Sequence, residues 1–196
     1  TPDLLCPRCG SLPRKRLLWR YLVSEMAIEQ QSWRVLHFSP SRQLEKRLRA
    51  LPALTYISTD YENPNADRQY DITNIGEEDG AYDLIICYHV MEHIPDDRQA
   101  MRELYRLLRP GGTALIQTPH REAPTYEDPA ITAPEDRLKA FGQEDHVRYY
   151  GREDLTARLT ATGFAVDENR YASGMDAATI ERLGLNVEEI IFVCRK

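Results

Sequence analysis

Nothing in this chain of 196 residues is apolar for long enough to span a bilayer, and its first residues lack the build of a signal peptide. A membrane is therefore not an expected partner. Positive charge is in deficit: 25 Lys and Arg stand against 31 Asp and Glu, a net charge of -6. That balance disfavours a long polyanion, so nucleic acid is not expected as a partner either. Cysteine is scarce, with four in all, and only Cys6 and Cys9 are close in sequence. Cys87 and Cys194 sit in apolar stretches and read as buried thiols, so a reduced, cytoplasmic protein is the expectation. Internal repeats and low-complexity tracts are absent. The length suits one α/β domain with a sizeable core and argues against two. The sequence opens at Thr1 and not at Met, which leaves room for residues upstream.

What is present is organised around residues 82–118. Residues 84–87 form a continuous apolar run with β-branched side chains, the pattern of a strand buried on both faces. From 95 to 108 the period becomes helical, with Met101, Leu104, Leu107 and Leu108 in register. Asp96 and Asp97 suit the start of that helix, and Pro110-Gly111-Gly112 stops it. Residues 113–118 make a second strand. A strand, a crossover helix and a strand form a right-handed parallel unit. Its polar cluster, Tyr88, His89, Glu92 and His93, lies just past the carboxyl end of the first strand, where open α/β sheets bind ligands.

The words YDLIICYHVMEHIPD (82–96) and ELYRLLRPGGTALIQTP (103–119) resemble those of the class I S-adenosylmethionine-dependent methyltransferases, and the resemblance extends with decreasing clarity over about residues 33–196. CPRCGS (6–11) and VLHFSP (35–40) are similar to a bacterial branch of that superfamily. The resemblance implies a Rossmann-like, doubly wound, mostly parallel seven-stranded sheet with helices on both faces. It divides the chain into an N-terminal knuckle and covering helix (1–31) and an S-adenosylmethionine-binding domain (32–196) with a lid insertion at about 119–150. The resembling branch implies no particular substrate; methyl transfer to an oxygen or nitrogen of a small molecule is the expected activity. A monomer or a homodimer is expected.

Along the chain, Cys6-Pro7-Arg8-Cys9-Gly10 has the shape of a metal knuckle, with zinc as the candidate ion. A closed zinc site needs four ligands and no second knuckle follows, so half of a truncated ribbon, now a simple turn, stands beside it. Residues 14–30 read as an amphipathic helix with a basic start. Residues 34–38 are the first core strand, with Ser39 as cap and Pro40 in the first turn of the next helix. Most relatives place a glycine-rich loop here; His37-Phe38-Ser39-Pro40-Ser41 has no glycine. Close backbone approach matters most for a pyrophosphate, which the cofactor lacks. Its carboxylate can still be met by free N–H groups at a helix start.

Residues 54–59 form the second strand. Asp60 ends it, about 20 residues after Ser39, the spacing of a carboxylate that binds ribose hydroxyls. Tyr61 is placed to pack near the adenosine. By the resemblance, Asp71 follows a third strand and accepts from the adenine amino group, while Ile72 packs on the ring. His37, Phe38, Ser39, Tyr88 and His89 complete the expected cofactor contacts.

Methyl transfer needs acceptor, methyl carbon and sulfur held in line, and a hydroxyl acceptor benefits from a base. His120, His146 and His89 are the candidates for that base. Relatives use a histidine at the position of His93 to pack a helix start. The histidines show no spacing that marks a metal site, and none is expected there. In the lid, Tyr126, Tyr149 and Tyr150 are candidates to wall a substrate. Arg148 reads either as an anchor for an acidic acceptor or as the partner of Glu144 or Asp145. Two rival readings are a cofactor-fold protein that binds a partner without catalysis, and another reaction of the same cofactor.

Overall fold

A computed structural model describes residues 5–196; the knuckle and everything after it fall within that range. Nine strands and six α-helices alternate along the described chain. Helix α1 (Pro13–Ser24) begins on a proline at its first turn and is followed by strand β1 (Arg34–Phe38) and helix α2 (Arg42–Arg49). Strands β2 (Thr55–Thr59) and β3 (Tyr82–Tyr88) come next, then helix α3 (Asp97–Leu107) and strand β4 (Leu108–Gln117). Asp96 caps α3 by accepting from the Gln99 N–H at 3.0 Å, as its sequence position suggests.

The central sheet has the order β2-β1-β3-β4 followed by β9 (Ile191–Arg195) and β8 (Ala165–Asn169). The first four are parallel, and the last two join antiparallel. Connections leave β1 outward to β2, then return to β3 on its other side. The order therefore reverses between β1 and β3, and a crevice opens at their carboxyl ends. One face of the sheet carries α3 and α5 (Arg152–Thr162), with Leu36, Ile85, Met101, Leu104 and Leu159 in one buried cluster. The other carries α1, α2 and α6 (Ala177–Leu183), where Leu18, Leu22 and Leu48 meet Val35, Leu84 and Ile86. Helix α1 thus shares a core with the sheet that it covers.

The central sheet has six strands, not the seven expected. The third strand's place is taken by an irregular path over residues 60–81. Only the parallel bridge Thr59–Arg68 remains of it. Asn63, Pro64, Asn65, Gly76 and Gly80 deny that stretch an alternating apolar pattern. The edge of β2 is closed by a side chain instead. Asp67 accepts from the Ser58 N–H at 2.8 Å and from Arg49 at 2.6 Å.

The long N-terminal helix also differs from expectation. It stops at Ser24, Ala27 turns left-handed at φ 47°, and a separate 3-10 turn spans Ile28–Gln30. Ser39 does not cap α2. The cap position is Ser41, which makes no capping hydrogen bond.

The insertion after β4 is more ordered than a surface excursion. β5 (His120–Arg121), β6 (Tyr126–Glu127) and β7 (Arg148–Gly151) make a small second sheet, and α4 (Pro134–Phe141) lies between β6 and β7. Arg148 fixes it to the main domain. Its buried guanidinium donates to the carbonyls of Met91, Ile94 and Pro95, and to Glu127 at 2.8 Å. It therefore pairs with neither Glu144 nor Asp145 and is not free for an acceptor. Tyr150 is buried too, donating to Asp97 at 2.7 Å. Among the described residues, no helix is long and apolar enough to cross a membrane.

Candidate functional site

The reversal between β1 and β3 forms a cleft of about 720 Å³, within the usual range for a small-molecule site. Five chain segments supply its walls: Phe38 and Ser39 after β1, Asp60–Glu62 after β2, Tyr70–Thr73, the turn that follows β3, and Asp145 from the lid. Its titratable lining is almost wholly acidic, with Asp60, Glu62, Asp71, Asp96 and Asp145 beside His89 and His93. Neither Lys nor Arg is among the lining residues described.

Backbone geometry marks two of these tips. Ser39 takes φ +43° and His89 takes φ +57°, the left-handed region that side chains other than glycine enter at a cost. Ser39 thus gives the loop the backbone turn that a glycine would supply. Strand alternation sorts its neighbours. Phe38 faces the α3 side and the cleft, while His37 faces α1 and α2. His37 is fully buried, receives or donates at Tyr56 Oη over 3.0 Å, and is pushed down to about 3 by burial, with Lys15 adding to the effect. Tyr88 is buried on that same far face. Neither side chain reaches the cleft.

Asp60 and Asp71 both line it. Oδ1 of Asp60 accepts from the N–H groups of Glu62 at 3.0 Å and Asn63 at 2.9 Å. Burial pushes its carboxyl up, but those two donors and the Ser39 hydroxyl hold it below its ordinary value. Asp71 Oδ1 accepts from Thr73 N at 2.8 Å and Thr73 Oγ1 at 2.7 Å, which lowers it. In each case one carboxylate oxygen is committed to shaping a turn. Ile72 is buried beside Asp71, and Tyr61 stands largely exposed at the mouth.

The three histidines expected as bases separate here. His89 lines the cleft, and its Nδ1 lies 3.0 Å from Glu92 Oε1. Glu92 is almost fully buried; burial raises it, and hydrogen bonds from His89 and from Thr118 Oγ1 at 2.8 Å bring it below its usual value. The carboxylate partner accepts from Nδ1, and the buried Nε2 has no partner among the described residues. His120 is not on the cleft wall. Its Nδ1 is 3.1 Å from Thr118 O and its ring packs edge-on against Phe192. His146 is buried behind the wall, packed edge-on against His93 with ring centroids 4.7 Å apart. Burial lowers it, and its Nδ1 donates to Phe141 O at 3.3 Å.

Tyr126 and Tyr149 do not line the cleft; Tyr126 packs on Phe141, and Tyr149 lies under Arg121. Cys6 and Cys9 flank a turn closed by Gly10 N to Cys6 O at 2.7 Å. Among the described residues no third His, Cys, Asp or Glu gathers with them. Sequence reasoning put Glu92 in the polar cluster without giving it a role, and it missed Gln117 and Glu189. Gln117 donates to Glu189, whose carboxyl is raised by burial, and Gln117 Oε1 is a buried acceptor without a partner. Their position at the ends of β4 and before β9 was the available signal.

A reversal crevice, Asp60 at the tip of β2, Asp71 in the stretch before β3 and a covering helix are the features of a methyltransferase-type cofactor fold. Residues 18–169 match the family described as Methyltransferase domain, and the chain belongs to that family. Over 112 residues it is 32% identical to a ubiquinone biosynthesis O-methyltransferase from Aeromonas salmonicida, covering 55% of this chain and 45% of that protein. A probable S-adenosylmethionine-dependent methyltransferase from Mycolicibacterium smegmatis is 32% identical over 106 residues, covering 54% and 37%. These matches span less than half the length of either relative.

Solved structures share the fold at low identity. The 1,6-didemethyltoxoflavin-N1-methyltransferase of Burkholderia thailandensis, with S-adenosylhomocysteine bound, superposes with a TM-score of 0.62 at 14% identity, covering 93% of this chain and 77% of that one. An S-adenosylmethionine-dependent methyltransferase from Archaeoglobus fulgidus gives 0.59 at 16% identity, covering 95% of both chains.

Proposed function

We propose that this chain binds S-adenosylmethionine in the cleft and transfers its methyl group to an oxygen or nitrogen of a small-molecule acceptor. One observation carries the reading: Asp60, held ionised and pointed by the N–H groups of Glu62 and Asn63, lines a cleft of about 720 Å³ at the reversal between β1 and β3. Its remaining oxygen suits a vicinal diol. The acidic lining suits a ligand that carries a sulfonium and an ammonium. When bound, the cofactor supplies an electrophilic methyl group, so the chain's residues have only to position, exclude water and take a proton.

In this reading Asp60 holds the ribose, Asp71 takes the adenine amino group on its free oxygen, and Ile72 packs on the ring. Ser39 and the uncapped start of α2 receive the amino-acid carboxylate. His89 is the base. Glu92 fixes its tautomer and orientation, and Nε2 takes the acceptor's proton. His120 and His146 have no role as bases here, since neither lines the cleft.

Calorimetric titration with S-adenosylmethionine tests the proposal. One-site binding is expected, with Asp60→Ala weaker by about 1–3 kcal/mol, or roughly fivefold to 150-fold, the cost of leaving polar partners unpaired. Absence of binding by the folded wild type would overturn it in favour of a partner-binding protein without catalysis. If binding holds, the mass of the product separates methyl transfer from another reaction of the cofactor.

A further inference from the structure

At the cleft wall and behind it lies a cluster of which the proposed methyl transfer uses only Glu92, as the partner of His89. Donor atoms of Glu92, His93 and His146 all lie within 4.8 Å of one another, and Glu92 and His146 are buried. We infer that these three residues form a site for a divalent transition cation of zinc's class, bound by two imidazoles and one carboxylate.

The second ring of contacts favours this reading over a chance gathering. His93 Nδ1 is 3.1 Å from Asp145 Oδ2, and His146 Nδ1 donates to Phe141 O at 3.3 Å. Each ring is thereby oriented through one nitrogen, leaving Nε2 as the ligating atom. Carboxylate and backbone-carbonyl partners on the second nitrogen are what metal-bound imidazoles usually carry. The two rings stand at 87° to each other, so they do not stack and can both present an edge to one ion. Glu92 is held in turn by Thr118 Oγ1 at 2.8 Å and by His89 at 3.0 Å. A carboxylate has lone pairs enough to keep both partners and bind a cation as well.

The fold also spends interactions to bring the third ligand in. His93 and Glu92 come from the 3-10 turn Met91–His93, whereas His146 arrives from the lid. Val147 N donates to Glu92 O at 2.9 Å, and Arg148 grips the carbonyls on either side of that turn. The lid strand is thus docked with His146 against Glu92. A cation at about 2.0–2.1 Å from each tetrahedral ligand sets the donors roughly 3.3 Å apart, inside the 4.8 Å that bounds their separation here. Three protein ligands leave a fourth position open, and His93 lies on the cleft wall, so that position is reached from the cleft. Two imidazoles with a carboxylate suit zinc, cobalt or ferrous iron and do not suit calcium or magnesium, which prefer all-oxygen shells.

The test uses metal alone, so its outcome is independent of whether the cofactor binds. Protein stripped with a chelator is titrated with cobalt(II) chloride and followed by visible absorption. The expected result is one cobalt per chain, with d–d bands and no thiolate-to-metal charge-transfer band, displaced by zinc chloride. His146→Gln should abolish the bands. Asp145→Asn, on an exposed side chain outside the fold's core, should weaken binding about tenfold to a hundredfold. Cys6→Ser/Cys9→Ser should leave the titration unchanged. Failure of the folded wild type to take up cobalt would overturn the inference. So would a charge-transfer band that disappears in the double serine variant, since the ion would then sit at the knuckle.

Discussion

Lys15 offers the sharpest test of how α1 is packed on the sheet. The side chain runs inward from the first turn of the helix, and its Nζ lies 5.3 Å from the centre of the Tyr88 ring. Among the described residues no carboxylate oxygen lies within ion-pair distance of it. Burial, with the charge of Arg14 added, brings Lys15 from 10.5 down to about 8. An unfolded chain takes up this proton near 10.5, while the folded chain resists until about 8. Between those values the unfolded state binds more protons, so stability falls as the pH drops through that window and the full cost persists below it. At about 1.36 kcal/mol per unit the gap amounts to roughly 3 kcal/mol. The ring face returns part of that by cation–π attraction, so about 1–3 kcal/mol remains. Lys15→Met keeps the stem and removes the charge. In urea unfolding the variant should exceed the wild type by that amount at neutral pH, and the advantage should vanish above about pH 11, where both states of the wild type are neutral. An advantage that did not change with pH, or a variant less stable at neutral pH, would refute the reasoning, because only the titration of this ammonium links the effect to pH.

Two further substitutions probe the scaffold of the cleft. Ser39 holds φ +43° without being glycine, and its hydroxyl helps to lower Asp60. Ser39→Gly and Ser39→Ala both lose that hydroxyl, yet the glycine variant should be the more stable of the two by about 1 kcal/mol in urea midpoints, because only alanine keeps the left-handed strain. Asp97 is the buried acceptor for Tyr150 Oη at 2.7 Å and Arg158 Nη1 at 2.6 Å. Asp97→Ala strips Tyr150 of that acceptor and leaves Arg158 to Glu127 alone, and should cost about 1–3 kcal/mol, seen as a fall in the thermal midpoint of roughly 2–12 °C; a loss near zero would mean that the lid is anchored elsewhere.

How much of this was legible in the sequence follows from the range of the interactions involved. β3, α3 and β4 could be read directly because burial on both faces leaves unbroken apolar runs and because Asp96 marks the helix start, although the helix ends at Leu107 and Pro110-Gly111-Gly112, expected to stop it, falls inside β4. Asp60 could be placed on the crevice because it ends a strand whose direction the parallel order fixes, whereas Asp71 was placed there by the resemblance alone, with no strand leading to it. His37 could not be excluded without the structure. Strand alternation turns it away from the cleft, yet the face that the cleft occupies depends on which helices cover which side. The missing strand was hidden for a different reason. A side chain, Asp67, does the work of a backbone acceptor at the edge of β2, and no periodicity reports that. The pairing of Glu92 with His146 is the extreme case. The two are separated by the whole of α3, β4 and most of the lid, and what docks the lid there is Arg148, which the sequence offered either as an anchor for an acidic acceptor or as the partner of Glu144 or Asp145. A charged side chain buried at a docking seam determines the site's composition from a distance. Reading it required knowing which carbonyls the turn after β3 leaves unpaired.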